Sequence, residues 1–264
     1  MRTNFERVYV TAHDDVAVLT LNHPEVMNAA SLELVEGMGK AISHIEENSG
    51  FRAIVLTGEG RGFCSGANLS GPSMGSASGS RDAGSVLETH FHPLLRRLRD
   101  LNIPLVTAVN GAAAGVGMSL ALMGDIILAA RSAYFLQAFA RIGLVPDGGS
   151  TWLLPRLIGL ARARELSMLA EKLPAEQALQ WGLINRVCDD ANLMDDALAI
   201  AHRLAQGPTS LALIRRLYWQ SPENSYEAQI NEERQAQRRA GRSRDFFEGV
   251  QAFLQKRPAK FTGQ

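Results

Sequence analysis

The chain has 264 residues, 46% of them apolar and 20% charged, which indicates one large globular domain, or one with an appendage, and excludes a disordered chain. Its 27 basic residues balance 27 acidic ones, so the zero net charge argues against a nucleic-acid or membrane-surface role for the whole protein. Two cysteines give no disulfide framework, and neither a membrane-spanning run nor a signal peptide is visible. We therefore expect a cytoplasmic protein.

The first predicted elements are a hairpin and a helix. Apolar, β-branched runs at 7–10 and 16–21 flank a turn-like His13-Asp14-Asp15, a pattern typical of paired strands. Ser31 then stands where a helix N-cap belongs. The apolar residues that follow it recur at spacings of three and four, as on one face of an amphipathic helix.

Short buried strands alternate with helices along the next part of the chain. Because this alternation is typical of parallel pairing, the sequence predicts an α/β fold. The predicted strands are 53–57, 105–109 and 126–130, and the predicted helices are 86–101, 118–123 and 162–170. The Gly/Ser-rich segment 70–85 predicts a flexible surface loop, either inert or a lid. Gln206-Gly207-Pro208 interrupts the chain before an Arg-rich helical region, so we expect a core at 1–205 and a second region at 206–264.

Two of these strands run into turns built from very small residues. One turn covers 62–69 and the other covers 110–120. Backbone N–H groups in such turns can approach a ligand without obstruction, and two of them converging on one oxygen would form an oxyanion hole. From composition alone, the glycines could equally serve only tight turns and close helix–strand packing.

Other motif interpretations fail. The second turn lacks the third glycine of a dinucleotide fingerprint and the closing glycine of a nucleophile elbow. His90 and His92 have no third ligand at a usual spacing, so no metal site is predicted.

The two turns resemble the oxyanion turns of the crotonase (enoyl-CoA hydratase/isomerase) superfamily. Segment 23–29 resembles the part of that family that contacts coenzyme A, and 246–261 resembles its carboxyl-terminal signature. The resemblance implies a spiral of repeated ββα units, with a helical carboxyl-terminal region that builds a homotrimer or a dimer of trimers. It also implies an acyl-CoA substrate, with coenzyme A as part of the substrate and no separate cofactor. The implied oxyanion donors are the amides of Ala67 and Val116.

The resemblance also points to which acid and base groups are present. Hydratases of the family carry glutamates at the positions of Ser119 and Phe139, so plain hydration is doubtful here. Asp147 lies in Pro146-Asp147-Gly148, an ordinary turn sequence, but its position resembles that of the catalytic aspartate of acyl-CoA isomerases. Apolar neighbours would raise the pKa of this carboxyl, and one base can move a proton between two carbons. A resemblance to the isomerases of bacterial phenylacetate degradation covers four further segments, 130–133, 143–147, 151–156 and 240–243.

The sequence therefore predicts an acyl-CoA isomerase that shifts a double bond or rearranges a ring epoxide. The alternatives are an enoyl-CoA hydratase that uses Asp147 with an ordered water, and a non-catalytic acyl-CoA-binding or RNA-binding member. The predicted catalytic residues are Asp147, Ala67 and Val116. The predicted substrate-binding residues are Met27, Ala29, Ser65, Gly66, Asn68, Leu69, Gly115, Phe139, Trp152 and Lys260. Asn68 departs from the aspartate that is more usual in the family.

Overall fold

A computed structural model describes residues 2–48, 50–68 and 82–264. Eleven strands lie in this part of the chain: β1 (Arg2–Phe5), β2 (Val8–His13), β3 (Val16–Leu21), β4 (Ala53–Gly58), β5 (Gly62–Cys64), β6 (Leu105–Val109), β7 (Ala112–Ala114), β8 (Ile126–Ala130), β9 (Tyr134–Leu136), β10 (Leu173–Pro174) and β11 (Arg186–Cys188). Its α-helices are α1 (Leu32–Glu47), α2 (Ala83–Val86), α3 (His92–Arg99), α4 (Val116–Ala121), α5 (Ser150–Ile158), α6 (Leu160–Leu169), α7 (Ala175–Trp181), α8 (Leu193–Ala205), α9 (Ser210–Gln220), α10 (Tyr226–Ala240) and α11 (Arg244–Leu254).

The described strands form two sheets. The larger one has the order β1-β2-β3-β4-β6-β8-β11, antiparallel up to β3 and parallel from there on. The smaller one has the order β10-β9-β7-β5, in which β5, β7 and β9 are parallel. The predicted hairpin and the three predicted central strands are confirmed.

Successive repeats build both sheets at once. β4, β6 and β8 lie in the large sheet, and each is followed within a few residues by β5, β7 or β9 in the small one. Helices α3, α4 and α5 follow these three strand pairs in turn. This order is the predicted spiral of ββα units, and its result is that the loops after β5 and β7 lie side by side.

The local signals in the sequence explain where the helices begin. The Ser31 hydroxyl accepts the N–H of Leu34 at 3.2 Å, which is the predicted N-cap of α1. A π-helical turn, Leu87–Phe91, joins α2 to α3, so the helix predicted over 86–101 is present but locally widened. Most of segment 70–85, the predicted loop, lies outside the described residues.

The carboxyl-terminal region is helical, as predicted, and is tied to the rest of the chain. Arg215 of α9 is buried and donates to Asp125 Oδ2 at 2.8 Å and to the Leu98 carbonyl at 2.7 Å. Asp245 of α11 is also buried and accepts the amides of Thr209 and Thr262 at 2.9 and 2.8 Å. Whether 1–205 and 206–264 are separate units stays a prediction.

Candidate active site

A cavity of about 560 Å³ lies where the turns after β5 and β7 meet, a volume typical of small-molecule sites. Its lining is mostly apolar. The lining residues are Ala30, Ser65, Gly66, Ala67, Gly84, Val86, Leu87, Phe91, His92, Gly115, Val116, Ala138, Phe139, Arg141, Ile142, Leu144, Val145, Pro146, Asp147, Gly148 and Gly149.

The turn after β5 presents the Ala67 amide to this cavity. The Ala30 amide donates to the Gly66 carbonyl at 2.7 Å, and the Asn68 amide donates to the Ala30 carbonyl at 3.2 Å. Successive amides of an extended chain alternate in direction. The Ala67 N–H, between these two bonds, therefore faces away from Ala30, on the side that faces the ligand space.

The turn after β7 requires glycine. Gly115 has φ 53° and ψ −128°, a conformation that L side chains rarely adopt. A Cβ at Gly115 would lie 3.8 Å from the Cα of Gly66, so the two turns are in contact. Val116 is the first residue of α4, and the amide at that position has no acceptor within the helix. The geometry therefore allows two backbone donors, Ala67 and Val116, to serve one oxygen.

Asp147 adds a carboxyl group to the same cavity. Burial raises its pKa to about 6. Its Oδ1 is buried and, within the described part of the chain, has no hydrogen-bond partner. A Cβ on the neighbouring Gly148 would lie 3.5 Å from the Val116 side chain, which places the Asp147 loop against the start of α4. A carboxyl with this pKa can both accept and return a proton near neutral pH.

Aromatic and apolar side chains form the rest of the wall. Phe91 and Phe139 are buried, and the Phe139 ring lies over the second turn, with its Cζ 3.6 Å from where a Gly115 Cβ would be. Phe139 therefore fills space beside the second glycine turn.

The family model of the enoyl-CoA hydratase/isomerase family matches residues 11–264. The chain belongs to this family. It is 46% identical over 250 residues to the 1,2-epoxyphenylacetyl-CoA isomerase of Escherichia coli (strain K12), covering 94% of this chain and 95% of that one. It is 44% identical to a Rhodobacter capsulatus protein named "Probable enoyl-CoA hydratase", covering 95% and 96% of the two chains. An enoyl-CoA hydratase from Polaromonas sp. JS666 has a similar structure, with TM-score 0.89, 33% identity, and coverage of 97% and 99%.

The fold brings together seven of the predicted site residues. Asp147, Ala67, Val116, Ser65, Gly66, Gly115 and Phe139 all line the one cavity. Met27 and Ala29 belong to segment 23–29, here called the strap, which supports the cavity. The Met27 carbonyl accepts the Ser65 amide at 2.9 Å, and Ala29 is buried next to Ala30. Asn68 lies one residue beyond the cavity lining, with its amide bonded to Ala30. Leu69 lies outside the described residues.

Two predicted binding residues are absent from the lining of this cavity. The Trp152 ring stacks on Trp219 at 5.9 Å and lines a neighbouring cavity, which shares His92, Gly148 and Gly149 with this one. Lys260 is exposed, and its amide donates to Glu248 at 2.8 Å, away from this cavity of the single chain.

Sequence analysis missed two contributors to the crotonase site. Asn28 is fully buried; its side chain accepts the His23 amide at 2.7 Å and donates to the carbonyls of Glu59 and Gly62 at 3.0 and 2.8 Å. Its φ of 54°, a left-handed value that Asn tolerates, was not readable from the pattern. His92, taken for an ordinary histidine, lines the cavity because the π-helical turn before it brings positions 87 and 92 onto one face.

Within the described residues, no group of three or more His, Cys, Asp or Glu side chains is arranged to hold a metal ion. Nor does any described helix combine the length and the apolarity that a bilayer crossing requires.

Proposed function

We propose that this enzyme is an acyl-CoA isomerase that moves a double bond along the acyl group of a coenzyme A thioester. The observation that carries the proposal is a single cavity that contains one carboxyl group with a pKa of about 6 and two backbone N–H donors from glycine turns. Membership of the enoyl-CoA hydratase/isomerase family supports the thioester substrate. The isomerase relative from Escherichia coli supports the reaction type.

In the proposed reaction, the Asp147 carboxylate removes one proton from C2 of a 3-enoyl-CoA. The electrons of the broken C–H bond move into the thioester and give a dienolate, whose oxygen is held by the amides of Ala67 and Val116. The protonated Asp147 then returns that proton to C4, so the product is the 2-enoyl-CoA and the enzyme regains its carboxylate. No water is added or lost, and one carboxyl group is sufficient.

The matched substitution Asp147→Asn tests this mechanism, because Asn keeps the size of the side chain and removes its basicity. We expect kcat for 3-enoyl-CoA to fall by ~10²–10⁴-fold, the usual contribution of a positioned general base, with KM little changed. Chromatography of the CoA esters measures the rate of product formation. Full isomerase activity in this variant would make Asp147 a turn residue and refute the proposal.

Hydration of a 2-enoyl-CoA is the second candidate. The observation in its favour is His92, a second titratable group in the same cavity as Asp147, since adding water needs both a base for the water and an acid for the carbon. Incubation of the enzyme with 2-enoyl-CoA and chromatography for 3-hydroxyacyl-CoA distinguishes the two functions. Under the isomerase proposal this product forms slowly, and His92→Gln leaves the double-bond shift intact.

A more specific version of the proposal is that the substrate is a ring epoxide. The Escherichia coli relative is named 1,2-epoxyphenylacetyl-CoA isomerase, and the buried rings of Phe91 and Phe139 provide flat apolar walls that suit an aromatic-derived acyl group. Comparison of kcat/KM for an epoxyphenylacetyl thioester with that for a straight-chain 3-enoyl thioester tests this preference. A straight-chain preference would limit the proposal to double-bond shifts.

A further inference from the structure

Ser119 lies on α4, three residues after Val116, at a position where a hydratase of this family carries a glutamate. Its side chain is completely buried. Its hydroxyl donates a hydrogen bond to the carbonyl oxygen of Asp147 at 3.0 Å. Ser119 therefore connects the helix that presents the Val116 amide directly to the residue that carries the carboxyl group.

The backbone of Asp147 is held more firmly than its side chain. Besides Ser119, its carbonyl accepts the amide of Ser150 at 3.1 Å and the hydroxyl of Ser150 at 2.8 Å. Carboxylate oxygen Oδ1, in contrast, has no partner among the described residues. Hydrogen bonds to a carboxylate would lower its pKa, whereas bonds to the carbonyl fix the residue without that effect. The arrangement therefore positions the base and preserves its basicity.

Contact between Ser119 and Gly148 requires glycine at position 148. A Cβ at Gly148 would lie 2.7 Å from the Ser119 Cβ and 2.8 Å from its hydroxyl oxygen, closer than Cβ atoms approach in proteins. The residue that follows Asp147 is therefore packed directly against Ser119, so the hydroxyl is held within reach of the Asp147 carbonyl.

We propose that Ser119 is a positioning residue for Asp147, which fixes the distance between the base and the oxyanion donor of α4. This inference rests on the proposed function of Asp147. It assigns to position 119 a role opposite to that of a hydratase glutamate: the side chain holds the base instead of being one.

Ser119→Ala tests the inference, because it removes the hydroxyl and adds no bulk. A loosened loop places the carboxylate less accurately, so kcat should fall about tenfold while KM stays within about twofold. A carboxyl group that is free to move towards solvent is less desolvated, so its pKa should fall and the acid limb of the kcat/KM–pH profile should move down from about pH 6 by about half a unit or more. A role confined to stability would move neither the limb nor kcat.

Thr57→Val is the matched control. Thr57 is also buried, and its hydroxyl donates to the Ala108 carbonyl at 2.9 Å, on β4 and outside the cavity lining. We expect it to lower Tm as Ser119→Ala does, with kcat and the acid limb unchanged. If Ser119→Ala does not fold, Ser119→Cys, which keeps the size but donates weakly, should show a smaller change in the same direction.

The outcomes separate this inference from the proposed function. An inactive Asp147→Asn together with a Ser119→Ala that keeps both kcat and the acid limb of the parent would overturn only the role of Ser119. An active Asp147→Asn would overturn the function and, with it, this inference.

Discussion

Asp147 differs from two other aspartates of this protein, Asp125 and Asp245, by what its oxygens contact. Asp125 accepts the Arg215 guanidinium and the Leu105 amide, both at 2.8 Å, and Asp245 accepts the amides of three residues. Such bonds are the usual way to offset the cost of burying a charge. Asp147 lacks them at Oδ1 and has a pKa raised to about 6 by desolvation. This combination, a costly carboxyl in a cavity, is typical of catalytic groups.

The raised pKa predicts how Asp147→Asn changes stability. A folded-state pKa of about 6, above the ordinary value of 3.8, means that the folded wild type loses stability as the pH rises from about 4 to about 6. The amide does not ionise, so at pH 7 the variant should be more stable by about 1–3 kcal/mol, and near pH 3.5 the difference should vanish. Urea unfolding at the two pH values measures this.

Asp125→Asn is the control for that measurement. Asp125 is paired with the buried Arg215, so its substitution leaves a buried guanidinium without its counter-charge. We expect this variant to lose roughly 3 kcal/mol or more at pH 7, the opposite sign. Equal destabilisation in both variants would mean that Asp147 is a structural carboxylate.

Ala67→Val tests the placement of the oxyanion hole. Ala67 lines the cavity, so a larger side chain there should crowd a thioester carbonyl held by its amide, and kcat/KM should fall by well over tenfold. Ala138→Val adds the same bulk to another part of the cavity lining and should mainly change the preference for acyl groups. Normal turnover by Ala67→Val would mean that the hole lies elsewhere.

At the scale of elements, signals within a few residues were sufficient for much of the fold. The N-cap at Ser31, the hairpin of β2 and β3, and the buried strands β4, β6 and β8 all follow from local pattern. The small sheet was not predicted, because β5, β7 and β9 have only three residues each and because β5 and β7 lie within the two predicted turns. Their pairing depends on the repeat geometry, which no local window contains.

The short range of sequence signals also explains which residues of the site could be predicted. The two glycine turns and Asp147 were identified because their family motifs are local. Trp152 was predicted as a binding residue from its closeness to Asp147 in the sequence, but it does not line the cavity that holds Asp147, because its ring stacks on Trp219. His92 was missed because its direction depends on a π-helical turn, which adds one residue to the helical repeat.

Asn28→Ala tests whether the strap, His23 to Ala29, supports the turn at Ser65. The substitution removes three hydrogen bonds of the buried Asn28 side chain and places alanine at φ 54°. We expect a loss of roughly 2–4 kcal/mol and a fall in kcat, because the Ser65 amide and the turn that follows it depend on this strap. Asn231→Ala, which removes one exposed bond on α10, should change stability by less than about 0.5 kcal/mol. Chemical denaturation compares the two variants.

Some of the basic residues Lys256, Arg257 and Lys260 of the carboxyl-terminal tail are predicted to contact the phosphates of coenzyme A. Truncation would be a poor test, because Thr262 and Gly263 donate to the buried Asp245. Point substitution of both lysines by Gln is better: KM should rise for a CoA thioester and stay unchanged for a pantetheine thioester. Arg257, already paired with Glu248, is the control. Equal effects on the two thioesters would indicate a structural tail.

At the scale of the whole molecule, the apolar surface of the carboxyl-terminal helices needs a partner. A groove of about 1040 Å³ lies among α9, α10 and α11, lined largely by apolar side chains. On α11, Phe253 is 83% exposed and Leu254 is 74% exposed, although both are large and apolar. Contiguous apolar surface of this kind marks protein–protein contacts. We expect a second copy of the chain to cover it, in a trimer or a dimer of trimers.

Light scattering after size exclusion tests that expectation. The parent should have a mass about three or six times the 28.7 kDa of one chain at micromolar concentration. Phe253→Glu puts a charge on the exposed face of α11 without touching the cavity of the active site, so it should shift the mass towards one chain. Met168→Glu changes a residue of α6 that is 73% exposed and should leave the assembly intact. A parent with the mass of one chain would refute the oligomer, and dissociation by Met168→Glu alone would move the interface to α6.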